Sequence, residues 1–267
     1  MDIQLHGIDG GNPFDFGKTS ADYAKYRDIY PPQFYQALTG RRLCVKGQRV
    51  LDLGTGTGVL PRFLYHTGAE FVGTDISAEQ IAEAKRLAAE QQMQITFLAA
   101  PAEALPFPEG SFDVITACQC FWYFDHAAIA PKLAGLLKPG GRLAVLQMEW
   151  LPFEDDLAMA SESLVLQYNP GWTGGGYHRA PVWIPEDYAA YFEPESAEQF
   201  DLHVPFTRES WHGRMRACRG VGASLTGEKL AEWEHAHMAM LMQKAPESFT
   251  VLHEGAIAVL RRKDLTE

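Results

Sequence analysis

Three glycines and one acid are the residues best placed to do chemistry. Val50 to Gly58 reads VLDLGTGTG: an apolar run passes straight into glycines at 54, 56 and 58, then into a helical pattern with Pro61 in its first turn. Glycine permits a tight turn and lets a ligand lie close to backbone amides at a helix N-terminus. Asp75 closes the next apolar run, in FVGTDIS, where a carboxylate can accept hydrogen bonds from both hydroxyls of a ribose. A glycine loop alone is weak evidence. Strand, loop, helix, strand and acid in that order point to an adenosine-containing ligand.

The elements that must hold these residues are legible around them. From Arg49 to Trp150 short apolar runs alternate with helical patterns, as βαβ units with a buried parallel sheet do. Five strands are expected at Arg49–Leu53, Glu70–Thr74, Ile95–Ala99, Phe112–Ala117 and Arg142–Met148. Between the second and third, Ser77 and Gln80 have capping-box spacing, and Ile81, Ala84, Leu87 and Ala88 share one helical face. In KLAGLLKPGG a helix is expected to stop at Pro139 and Gly140. The segment 151–195, rich in Pro, Gly and aromatics, reads as an irregular cap. Beyond it a strand is expected at Gln199–Phe206, a helix from about Glu209, a longer one at Gly227–Lys244 and a last strand at Ala256–Leu260.

DLGTGTG, GTDIS, AEALPFPEGSFDVITA and LLKPGGRLAV together resemble the successive motifs of class I, S-adenosylmethionine-dependent methyltransferases, notably the group that includes quinone-biosynthesis and other small-molecule enzymes. The resemblance covers about Tyr23 to Trp150. It implies an α/β, Rossmann-like seven-stranded sheet in the order 3-2-1-4-5-7-6, last strand antiparallel, with helices on both faces and a small lid insertion. One methyltransferase domain over 1–267 is expected: an N-terminal helical lid (1–48), a cofactor-binding core (49–150), the inserted cap (151–195) and the C-terminal part of the sheet (196–267).

The same resemblance implies which residues would hold S-adenosylmethionine. Gly54, Thr55, Gly56 and Gly58 would line its methionine and ribose, with Asp75 on the ribose hydroxyls and Ile76 against the adenine. Ala102 and Glu103 fall at the adenine edge, although Pro101 stands where the family commonly has an Asp. Gln119, Phe121 and Trp122, in CQCFWYFDH, would sit near the sulfonium, since aromatic faces favour a cation; core packing is the plainer use of such aromatics. Tyr23, Tyr26 and Arg27 would meet the methionine carboxylate, unless they form a solvated helix face. Asp125 reads as a helix cap.

Composition bears on the partners. Lys and Arg total 23 against 34 Asp and Glu, a formal net charge of -11, which disfavours nucleic acid and anionic membrane. No apolar window is long enough to span a bilayer, and the first residues lack a basic stretch followed by an apolar run. Cys44, Cys118, Cys120 and Cys218 have no metal-type spacing, so no metal is expected, and reduced thiols in the cytoplasm are. Cys118 and Cys120, two apart on one strand, would share a face as small apolar filler.

The acceptor is expected to be a small molecule. Tyr168, Trp172, Tyr177, His178, Arg179 and Trp183 are available to wall its pocket or simply to pack the cap. FTRESWHGRMRACRG carries Arg208, Arg214, Arg216 and Arg219, which suits either an anionic acceptor or, more commonly for a charge run, a water-facing helix. His126, His178 and His212 lie near site segments, and none is singled out as a base. Two rival readings remain: a protein that binds the cofactor without transferring methyl, and a nicotinamide-dependent oxidoreductase. The latter's GxGxxG spacing is missed here by one residue. A nucleic-acid or protein methyltransferase is disfavoured by the net charge and the lack of an Asn/Asp-Pro-Pro-aromatic turn.

Overall fold

In chain order the elements are α1 (Ser20–Tyr26), α2 (Pro32–Thr39), β1 (Arg49–Leu53), α3 (Val59–Leu64), β2 (Glu70–Asp75), α4 (Ala78–Glu90), β3 (Thr96–Ala99), β4 (Phe112–Cys118), α5 (His126–Leu136), β5 (Leu137–Trp150), α6 (Asp156–Tyr168), β6 (Phe192–Thr207), α7 (Arg208–Arg216), α8 (Gly227–Lys244) and β7 (Ser248–Arg262). They come from a computed structural model that describes residues 3–5 and 7–264. The strands form one seven-stranded sheet, β3-β2-β1-β4-β5-β7-β6, with the last strands antiparallel. This is the expected Rossmann-like order.

The chain divides into two compact units. One comprises Met1–Pro31, Glu149–Arg179 and Asp201–Glu254; the other comprises Pro32–Met148, Ala180–Phe200 and Gly255–Glu267. Of the five chain crossings between them, three fall inside β5, β6 and β7.

The second unit is built on β1. Its residues pair in parallel with β2 on one side, Val50 opposite Phe71, and with β4 on the other, Val50 opposite Val114. A strand so enclosed must be apolar, and Val50, Leu51 and Leu53 are fully buried. Ile129, Ala130, Leu133 and Ala134 of α5 share a core with Leu51, Leu53, Ile115 and Val145. Ile81, Ala84 and Ala88 of α4 make a separate cluster with Phe97. Both helices have the starts their sequences specify: the Ser77 hydroxyl accepts from the Gln80 amide at 3.3 Å, and an Asp125 oxygen accepts from Ala128 at 3.3 Å.

Several boundaries differ from the sequence reading for physical reasons. Strand β5 starts at Leu137, yet the pairing jumps from Phe112–Leu137 to Val114–Arg142, so residues 138–141 with Pro139 and left-handed Gly140 leave the ladder. The helix itself ends at Leu136, with extended Leu137 as its C-cap, so Pro139 and Gly140 shape an irregularity in the strand rather than stop the helix. Segment 151–195 is not irregular throughout, because α6 occupies Asp156–Tyr168, capped by Asp155 accepting from Leu157 and Ala158. Its buried face is Ala158, Ser161, Glu162 and Val165; two polar residues there hide the apolar period. Strand β6 starts seven residues early for a similar reason: only Leu202, Val204 and Phe206 show buried alternation along its second half. Cys120 lies beyond β4, after Gln119 at φ +60°, so strand alternation does not place it on a face with Cys118.

In the first unit α1 packs on α7, and α8 packs on both α6 and α7. Trp211 and Trp233 are completely buried. Between them, His212 and His237 meet at 3.0 Å and His237 lies 3.1 Å from the Ser161 hydroxyl; burial drives the His237 pKa down to about 3 and lowers that of His212. Outer charges staple α1 to α7: Arg216 grips Asp22 at 2.7 Å, and Glu209 accepts from Lys25 and Tyr26. The helices approach closely where a Cβ on Gly213 would fall 2.3 Å from the Tyr26 ring. Gly213→Ala should therefore cost about 1–3 kcal/mol through overpacking, measured as a lower urea midpoint at unchanged m.

Candidate functional site

The loop after β1 owes its shape to a buried carboxylate. Asp52 accepts hydrogen bonds from Thr55 and from Thr116 of β4, each at 2.6 Å, so the loop's second residue is tied to the neighbouring strand through one side chain. Burial pushes the Asp52 pKa up to about 6, against the pull of Thr116 and Thr55 and with a contribution from Asp75. The Thr55 amide donates to the Thr74 carbonyl at 2.9 Å, and Arg62, itself buried, donates to the Thr57 carbonyl at 3.1 Å.

The three glycines serve different ends. All have positive φ: +55° at Gly54, +55° at Gly56 and +74° at Gly58. A Cβ on Gly54 would meet Cys120 at 2.6 Å, and one on Gly58 would meet the Phe97 ring at 2.7 Å, so those two positions are closed by packing. A Cβ on Gly56 would meet only Gln80, at 3.9 Å. Space for a ligand is therefore next to Gly56.

Asp75 is fixed beside it. One carboxylate oxygen accepts from the Gly56 amide at 2.9 Å and the other from the Ser77 amide at 2.9 Å. Burial pushes its pKa up while backbone amides of Ser77, Gly56 and Ile76 oppose the rise. A carboxylate offers about four acceptor positions, which leaves room for two hydroxyls. Ile76 is 41% exposed, an apolar surface next to that acid. These features fit the nucleoside that the resemblance implies: an acceptor pair for a ribose, an apolar platform for a base, and an open glycine between them.

The remaining sequence-predicted residues of this unit fall on two further turns. Ala102 is buried and Glu103 exposed in a 3-10 turn at Ala102–Ala104, entered from Pro101. Gln119 sits at φ +60°, a strained conformation for a non-glycine residue. Its backbone N–H donates to Leu146 at 3.0 Å and its side-chain N–H to the Met148 carbonyl. Its side-chain oxygen is buried with no partner, an acceptor aimed at nothing in the protein. Trp122 is 38% exposed, whereas Phe121 is packed among Phe124, His126 and Tyr188. His126 lies 3.2 Å from the Tyr188 hydroxyl, and burial lowers its pKa. Trp183 is exposed, edge-on to His126.

Tyr23, Tyr26 and Arg27 belong to the first unit. Arg27 lies 4.6 Å over the Tyr23 ring, and the Tyr26 hydroxyl is held by Glu209 at 3.0 Å. There, too, the cap's polar residues are engaged: Tyr177 donates to Glu254 at 2.6 Å, Arg179 pairs with Glu154 and Asp201, and His178 stacks on Phe153 at 4.2 Å. Trp172 is buried against Gly220. Asp52 is the residue sequence reasoning passed over, although it stands inside the glycine motif; an acid in an apolar strand was the available signal.

Relatives and solved structures agree with this architecture. A methyltransferase domain family matches residues 50–141. A demethylmenaquinone methyltransferase of Thermus thermophilus is 44% identical over 155 residues, spanning 56% of this chain and 70% of that protein. A ubiquinone biosynthesis O-methyltransferase of Xanthomonas campestris is 28% identical over 177 residues, 66% of this chain and 72% of that protein. The YcgJ protein of Bacillus subtilis shares the fold with a TM-score of 0.53 at 20% identity, covering 86% of this chain and 98% of that one.

Asp52 supplies a pH test. Its folded-state pKa lies above the ordinary 3.8, so the stability it contributes is whole below that value and is lost as pH rises through about 6. Unfolding titrations between pH 4 and 7 should show this fall in the native protein. Asp52→Asn should flatten it by up to ~3 kcal/mol.

Proposed function

Since the chain belongs to the class I S-adenosylmethionine-dependent methyltransferases, we propose that it methylates a small-molecule acceptor using a cofactor held at the Gly54–Gly58 loop and Asp75. The single observation that carries this is the Asp75 carboxylate, braced by Gly56 and Ser77 and flanked by exposed Ile76. Gly54, Thr55 and Gly58 shape the loop, and Gly56 leaves the space. Asp75 takes the ribose hydroxyls, Ile76 the adenine face, and Ala102 and Glu103 its edge. Gln119 offers its unpartnered oxygen to an N–H of the cofactor's amino acid, with the Phe121 and Trp122 turn near the sulfonium. Of Tyr23, Tyr26 and Arg27, we retain Arg27 as an anion ligand, because the Tyr26 hydroxyl is already held by Glu209.

The bound cofactor supplies a methyl group on a sulfonium, open to in-line displacement. The chain's own contribution is to fix the geometry and exclude water, which can provide much of the acceleration without a dedicated base. A quinone-like or other aromatic acceptor is supported by the relatives' names. The four cysteines are free thiols and no helix of the described residues is long and apolar enough to cross a membrane, which supports a cytoplasmic enzyme.

Calorimetric titration with S-adenosylmethionine, S-adenosylhomocysteine and NAD tests the cofactor reading. The first two should bind in the micromolar range, and Asp75→Ala should weaken both by at least about tenfold, as loss of hydrogen bonds to a charged group does. Binding of NAD alone would overturn the reading. Cofactor binding with no methylation across a broad panel of small aromatic and anionic metabolites would instead favour a non-transferring binder.

A further inference from the structure

Three helices of the first unit meet at a pair of histidines. His212 of α7 and His237 of α8 face each other Nδ1 to Nδ1 at 3.0 Å, and Nε2 of His237 lies 3.1 Å from the Ser161 hydroxyl of α6. Ser161 and His237 are fully buried, and His212 is 8% exposed. The hydroxyl is engaged on both sides as well, donating to the Leu157 carbonyl at 2.8 Å and accepting from the Trp211 indole at 2.9 Å. Both imidazoles stack on the Trp233 ring, at centroid separations of 5.4 Å for His212 and 4.8 Å for His237.

Such a pair has a fixed capacity for protons. A neutral imidazole carries one N–H and one bare nitrogen, whereas an imidazolium carries an N–H on both. The facing Nδ1 atoms can hold one proton between them, as donor and acceptor. Nε2 of each ring offers one further position. With its bond intact, the pair therefore keeps one proton more than two neutral rings carry, whichever tautomers they adopt. Any proton beyond that puts an N–H on both Nδ1 atoms, and two donors aimed at each other cannot share a hydrogen bond.

The surroundings decide where the extra proton goes. Burial lowers the pKa of both rings and drives His237, which also feels His212, to about 3. Arg216 on the same helix lowers His212 further, while Glu234 of α8 and Asp22 of α1 raise it; Arg216 is itself paired with both acids. From α6, Glu162 accepts from Trp150 and Gly176, and from β7, His253 packs edge-on to Trp211. The first proton thus enters on the His212 side, where solvent and two carboxylates favour it. The second meets only the buried face of His237.

We infer that His212 and His237 form a two-step proton clasp on the packing of α6, α7 and α8: one added proton is held with the bond intact, and a second parts the rings. The clasp lies wholly within the first unit. Helix α1 follows α7, to which the Arg216–Asp22 and Glu209–Tyr26 contacts tie it.

NMR of the full chain labelled at histidine, titrated from about pH 8 to about pH 3 beside near-ultraviolet circular dichroism, reads proton uptake and packing together. His212→Phe and His237→Phe assign the resonances. The first proton to enter the pair should leave the tryptophan dichroism unchanged, and the second should enter as that signal disappears. A second arm uses the double variant His212→Phe/His237→Phe, which keeps two flat rings beside Trp233 and removes donor and acceptor together, a gentler change than removing one. Both histidines titrate below the ordinary 6.5 in the folded chain. Their contribution to stability is therefore whole above that pH and is lost below it, as the unfolded chain takes up protons first. In urea titrations below that pH, the native unfolding constant should rise about tenfold more per pH unit than that of the double variant. The clasp is overturned if both protons enter with the packing intact, if the packing is lost before the second proton enters, or if native and double variant share one pH dependence. Should the double variant not fold, the native titration decides alone.

Discussion

A carboxylate shielded from solvent organises the glycine-loop end of the sheet. Asp52 is buried at the end of β1, and two threonine hydroxyls, one from the glycine loop and one from β4, satisfy it. A buried acid must be hydrogen-bonded or neutralised, so the loop is drawn to the strand ends and cannot wander. The backbone that results has left-handed turns at three positions, and only glycine adopts those without strain. Asp75 then finds the Gly56 amide within reach. The loop's shape, the acid's orientation and the open space at Gly56 are thus consequences of one another.

How much of this was legible depends on whether the determining contacts are local. The path from β1 through the loop to Asp75 was, because glycine positions, alternating elements and a terminal acid are written within about thirty residues. The strand order came from resemblance to a family rather than from periodicity. Helix α6 was missed since its inward face includes Ser161 and Glu162, polar residues that are buried because distant partners receive them: Ser161 accepts from Trp211, and Glu162 from Trp150 and Gly176. No local pattern announces such a face. Arg214 misled in the same direction, as its charge suggested water while the fold placed it over Trp150.

The two acids of the loop region also divide labour by environment. Asp52 spends its hydrogen-bonding capacity inside the protein, on side chains that position the backbone. Asp75 spends half of its capacity on the backbone and keeps the rest. Its bracing by Gly56 and Ser77 fixes the direction of the remaining acceptor positions, so a diol can be met without first ordering the carboxylate. Preorganisation of this kind is worth most where a ligand must be held in one pose for an in-line displacement.

The interleaving of the two units along the chain sets an order of events during synthesis. The second unit's loop, acid and parallel strands β1 to β4, with most of β5, are encoded between residues 32 and 148, and its helix starts are local. The first unit joins residues far apart: Arg216 holds Asp22 across 194 positions, and Thr173 donates to Asp9 across 164. Contacts of such separation form late, since the intervening chain must be closed into a loop first. On a ribosome, the glycine loop and Asp75 can assemble while the N-terminal segment still waits for its partners. The first unit, by contrast, can be complete only after α7 and α8 have emerged, and neither terminal truncation nor simple excision isolates it.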